Sequence, residues 1–135
     1  MVRPCFLVID REHSASISTR KLVIESAKFN VITAYSGTEA IETLHRFPAI
    51  DALIVDSAIR DVPCETIVAT VRSKAPHVPI IVIHGPGAVD CPGASHSLDS
   101  FDPATLLELL HKLFPRQTKT IEQQDDVLKA EENLG

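Results

Sequence analysis

Two aspartates in this chain each close an apolar run. Cys5-Phe6-Leu7-Val8-Ile9 leads into Asp10, and Ala52-Leu53-Ile54-Val55 leads into Asp56. Runs that are apolar throughout, without alternation, fit strands buried on both faces of a parallel sheet. Open α/β sheets place their chemistry at the carboxyl ends of such strands. Asp10 and Asp56 therefore predict a shared acidic pocket. Asp56 is the candidate nucleophile, because an aspartyl carboxylate can form a covalent intermediate. Arg11 follows Asp10 directly, and its guanidinium can reach a carboxylate on a neighbouring strand and pair with it bidentately. His84 closes a third run, Pro79-Ile80-Ile81-Val82-Ile83, and reads either as a general base or phosphate-side donor or as a polar plug at a sheet edge.

The elements that must position these groups follow from periodicity. Short apolar runs alternate with amphipathic stretches, the pattern of parallel βαβ units. Strands are expected at Cys5–Ile9, Val31–Ala34, Asp51–Val55 and Pro79–Ile83, with a weaker one at Ser97–Asp99. Ser14 or Ser16 is the expected cap of a first helix running to about Lys28. Ser36-Gly37-Thr38-Glu39 turns into a second helix ending near His45, and a third spans Thr66 to about Lys74. Asp102-Pro103 opens a last, leucine-rich helix that stops at Phe114-Pro115, with Asp as cap and Pro in the first turn. From Arg116 onward the chain is polar and acidic, so residues 1–115 form one domain and 116–135 a tail or linker, partly helical.

Composition narrows the function. The 135 residues suit one core, and 44% hydrophobic with 23% charged residues is ordinary for a globular protein. A net charge of −5 without a basic patch argues against nucleic-acid binding. No apolar stretch is long enough to span a bilayer, and no secretory signal is visible, so a cytoplasmic location is expected. Cys5, Cys64 and Cys91 are odd in number and lack close pairing, so free thiols are expected. A zinc site of Cys64, Cys91 and His84 is the lesser reading. Gly85-Pro86-Gly87 follows a strand but lacks the Lys-Ser/Thr pair of a phosphate loop.

The motifs together resemble a response-regulator receiver domain of two-component signalling, over about residues 4 to 114. Asn30 to Ile41, with its small-Gly-x-Glu-Ala turn, resembles the family's second strand and helix. Asp51 to Asp56 resembles its third strand with the phospho-accepting Asp, and Pro79 to Ile83 its fourth. Gly93-Ala94 and Phe101-Asp102-Pro103 resemble the flanks of the fifth. The resemblance implies a flavodoxin-like (βα)5 three-layer sandwich with parallel strand order 2-1-3-4-5. It also implies a Mg²⁺ site at Asp10 and Asp56, and a histidine kinase or an output domain as partner.

The departures are as informative. Arg11 stands where the family carries a second acidic residue that binds Mg²⁺, and a guanidinium cannot coordinate a metal. His84 replaces a Thr or Ser, Ser100 a Lys, and Ser97 an aromatic switch residue. Asp61 fits an acidic or amide position of the loop after the third strand, but reads first as a turn residue. Residues 84–93 hold two prolines and three glycines, so the family's fourth helix is expected to be shortened or missing. Mg²⁺ binding is therefore expected to be weak or absent. The leading expectation is a degenerate receiver acting by protein–protein interaction, with impaired phosphorylation and no enzyme activity. A homodimer through the last helix or tail is a secondary expectation. The alternatives are a working receiver phosphorylated at Asp56 by a histidine kinase, and a small flavodoxin-like ligand-binding protein using the same crevice.

Overall fold

The continuous apolar runs become the strands of one sheet. The computed structural model describes residues 4–10, 18–47, 49–84, 91–99 and 102–116. In chain order they form β1 (Cys5–Ile9), α1 (Thr19–Ser26), β2 (Asn30–Ala34), α2 (Gly37–Arg46), β3 (Ala52–Asp56), α3 (Cys64–Lys74), β4 (Ile80–Ile83), β5 (His96–Leu98) and α4 (Pro103–Leu113). All strand pairs are parallel and the order is β2-β1-β3-β4-β5, the doubly wound arrangement expected from the sequence.

Strand alternation sorts the core. Leu7, Ile9, Leu53, Val55, Ile80 and Val82 face α2 and α3, packing with Ala40, Leu44, Ile67 and Val71. Phe6, Val8, Ala52, Ile54, Ile81 and Ile83 face the other way, against Ile24 of α1 and Leu106 and Leu110 of α4. Phe6 stacks between Phe29 and Phe114, each with ring centroids 5.1 Å from it, which seats the end of α4. Asp10 and Asp56 share the parity of Phe6, Val8 and Ile54. Alternation alone therefore turns both carboxylates toward the α1 side.

Four expectations need correction or completion. The cap of α1 is Ser18, whose Oγ accepts from the Lys21 N–H at 3.2 Å; Ser14 and Ser16 lie outside the described residues. Helix α3 begins at Cys64 rather than Thr66, directly behind Pro63 and without a side-chain cap. Cys64 and Cys91 are not free thiols. They form a disulfide with Cα atoms 5.5 Å apart, leaving Cys5 as the free cysteine. That bridge also removes the zinc reading, which needed both thiolates. Finally, Cys91–Ser95 is turn and bend, not helix; residues 85–90, where the shortened helix was also expected, lie outside the described residues. So does the tail from residue 117.

Candidate functional site

Parallel register sets Ile9 beside Val55, so β1 and β3 end together at the centre of the sheet. Their next residues, Asp10 and Asp56, are 1% and 2% exposed. Two buried carboxylates are costly unless cations or donors hold them. Helix α1 supplies both. Arg20 Nη1 donates to Asp56 Oδ2 at 2.7 Å and lies 3.5 Å from Asp10 Oδ1. Ser18 Oγ donates to Asp10 Oδ2 at 2.6 Å. The second Asp56 oxygen, Oδ1, accepts the Ala58 N–H at 2.7 Å. One serine thus starts the helix and binds the pocket, and two residues later the same helix delivers the guanidinium.

Arg20 was not expected from the sequence, where Arg11 was the predicted partner. Arg11 lies outside the described residues, as does Ser100. A signal for Arg20 did exist. It stands four residues before Ile24, and both are the buried positions of α1, so one helical face carries an arginine and an isoleucine. An arginine on the buried face of an amphipathic helix needs an acidic partner.

His84 is placed elsewhere. Its Nε2 lies 2.7 Å from Ser97 Oγ, and its N–H donates to Leu98 O at 2.8 Å. The two positions that the resemblance assigns to phosphoryl contact and aromatic switch are thus hydrogen-bonded to each other across β4 and β5. Asp61 does more than fill a turn. Its Oδ1 accepts the Gly37 N–H at 2.9 Å, and its Oδ2 accepts both the N–H and the hydroxyl of Thr38 at 3.0 Å. It caps the start of α2 from a distant loop, beside the local cap in which Ser36 Oγ accepts the Glu39 N–H at 3.0 Å. Gly37 is required there, because a Cβ would stand 2.7 Å from Val62 Cβ.

The Thr38 and Gly37 N–H groups hold the Asp61 carboxyl below the ordinary aspartate range. Its contribution to stability is therefore present above the unfolded aspartate value of about 3.9 and fades as pH falls through the lower folded value. Asp61→Ala is expected to cost about 1 kcal/mol near neutral pH, the usual loss for an exposed helix cap. Urea midpoints of both proteins, followed between about pH 2 and 7, should converge only at the acid end. A constant difference down to the lowest pH would show that the carboxylate is not what holds α2.

The architecture now permits comparison with known proteins. No protein-family model and no curated protein sequence matches the chain. Solved structures do. A response-regulator receiver domain protein from Clostridium thermocellum superposes with TM-score 0.68 at 22% identity, covering 93% of this chain and 98% of that one. The fold is that of a receiver domain. A chemotaxis response regulator of Vibrio cholerae gives TM-score 0.69 at 23% identity over 83% of this chain and 99% of its own. The receiver domain of the hybrid histidine kinase CckA gives 0.67 at 20%, over 81% and 97%. Within this receiver fold the pocket at the ends of β1 and β3 lies at the topological switch point, where ligands of doubly wound sheets bind. Among the described residues no helix is long and apolar enough to cross a membrane.

Proposed function

We propose that the chain is a receiver-like signalling module of a phosphorelay system, acting through protein contacts, with its own arginine holding the acidic pocket and impairing phosphorylation. The observation that carries this reading is the Arg20 guanidinium set between Asp56 and Asp10. Phosphoryl transfer to a carboxylate needs an accessible oxygen and cations aimed at the transferred oxygens. Here both Asp56 oxygens are engaged, one by Arg20 and one by the Ala58 N–H, in a side chain 2% exposed.

The residues do not fit Mg²⁺ as they stand. That ion takes octahedral oxygen ligands at about 2.0–2.1 Å. The same carboxylate oxygens already bind a guanidinium, a hydroxyl and an amide, and no group of three His, Cys, Asp or Glu among the described residues is placed to hold a metal. A module of this kind would meet a histidine kinase or an output domain through its surface rather than through chemistry at Asp56.

Intact mass after incubation with a small phosphodonor and Mg²⁺ tests the reading on wild type, Asp56→Asn and Arg20→Ala. The expected result is no phosphoryl adduct on wild type. An adduct on wild type that is absent from Asp56→Asn would instead establish a working phospho-acceptor. An adduct only on Arg20→Ala would identify the guanidinium as the block.

A further inference from the structure

The described part of the β4–β5 connection runs beside α3 and is fastened to it at two points. Near the start of α3, Cys64 is bridged to Cys91. Near its end, Arg72 Nη2 donates to Ser95 Oγ at 3.0 Å and lies 3.5 Å from Gly93 O, while its Nη1 donates to Val78 O at 2.6 Å. Between the two fastenings, Gly93 has φ +90°, and a Cβ there would stand 2.9 Å from Val68 Cγ1. The strap thus has a covalent front end, a hydrogen-bonded rear end and a glycine pivot between them.

The two sulfurs are not equivalent. Cys91 lines a cavity of about 410 Å³ together with His84, His96 and Ser97; Cys64 is not among its lining residues. Cys64 is the first residue of an 11-residue helix, where backbone N–H groups favour a thiolate. Both residues are half-buried against the core, and the cavity reaches the pair at Cys91. The third thiol stays out of this chemistry: burial, and then the Asp51 carboxylate, push the Cys5 thiol up.

We propose that Cys64–Cys91 is a thiol–disulfide exchange site that takes a dithiol reductant through the cavity at Cys91. The incoming thiolate attacks Cys91 Sγ, and the sulfur–sulfur bond breaks with its electron pair leaving on Cys64 Sγ. The second thiol of the reductant then attacks its own sulfur in the mixed disulfide and releases Cys91 as thiolate. Two electrons and two protons pass from the dithiol to the pair, leaving two cysteine thiols and one oxidised reductant. Nucleophilic attack at the accessible sulfur and departure of the thiolate stabilised at a helix start is the favoured direction of such exchange. Reduction frees the front of the strap about Gly93, while Arg72 keeps hold of Ser95.

Glutathione, a monothiol, reports the first step because it has no second thiol of its own to resolve the mixed disulfide, which an early acid quench then traps. Oxidised full-length protein is exposed to it under native conditions, acid-quenched, and mapped by peptide mass. The adduct is expected on the Cys91 peptide at least tenfold over the Cys64 peptide. Equal labelling, or labelling chiefly at Cys64, would overturn the assigned direction. Reduction by dithiothreitol only after denaturant is added would overturn the site itself and leave a structural bridge. In parallel, hydrogen exchange on the natively reduced protein should quicken at residues 91–94 and stay unchanged in β1 and β3. Unchanged exchange at 91–94 would remove the release of the strap.

Discussion

Arg20→Ala should be the most damaging single substitution in the chain, lowering stability by about 3–5 kcal/mol, the range for removing one partner of a buried ion pair. The loss arises from what remains. Asp10 and Asp56, 1% and 2% exposed, would face each other without the guanidinium between them. The net worth of the intact cluster is smaller, since desolvating its charges offsets much of their attraction. Asp56→Asn should therefore be milder than Arg20→Ala, and the double variant should fall short of the sum by about 1–3 kcal/mol. Urea denaturation measures all three; equal slopes with shifted midpoints identify a change in stability. If the two single losses simply add, the residues do not act as a unit and the pocket needs another account. Mg²⁺ gives a second reading of the same variant. It should raise the melting temperature of Arg20→Ala, where two carboxylates lack their guanidinium, and leave the wild type unmoved.

The bridge between Cys64 and Cys91 should be next in size. It joins residues 27 apart in sequence, and closing a loop of that length is worth about 3–4 kcal/mol when the effect is assigned to the unfolded chain. The Cys64→Ser/Cys91→Ser double variant should therefore melt on the order of 10 °C below the oxidised wild type. Its dependence on denaturant should also steepen, because an unfolded chain without the cross-link exposes more surface. A stability loss below about 1 kcal/mol would mean that the cross-link constrains the unfolded chain little and that the strap keeps its place without it. Arg72 offers the means, through its donors to Val78 O and Ser95 Oγ.

How far the sequence reaches is visible in these two features. The strands were legible because strands buried on both sides must be apolar throughout, and Cys5–Ile9 and Ala52–Val55 are. The aspartates that follow were legible for the same reason: a carboxylate ending such a run has to sit at the rim of the sheet. Arg20 was missed because adjacency in the chain pointed to Arg11, whereas the pocket is assembled across space from a helix whose cap, Ser18, lies eight residues after Asp10. The disulfide was missed because nothing local marks it. Cys64 and Cys91 meet only once β4 has crossed beside β3 and the chain has turned back along α3. Asp61 shows the same limit, since its partners Gly37 and Thr38 lie 24 and 23 residues away.

The sheet itself sets the terms on which these parts can influence one another. Its central strands carry side chains that are wholly buried on both faces, from Phe6 to Ile9 and from Leu53 to Val55. Such a layer admits no water and no mobile charge. A dry, apolar layer therefore stands between the arginine cluster on the α1 side and the cystine on the α3 side, and neither ions nor protons can cross it. What joins them is covalent and short: the backbone leaving Asp56 passes Ala58, which holds the carboxylate, then Asp61, which holds α2, and reaches Cys64. A change at Asp56 can reach the cystine as a pull on that stretch of chain.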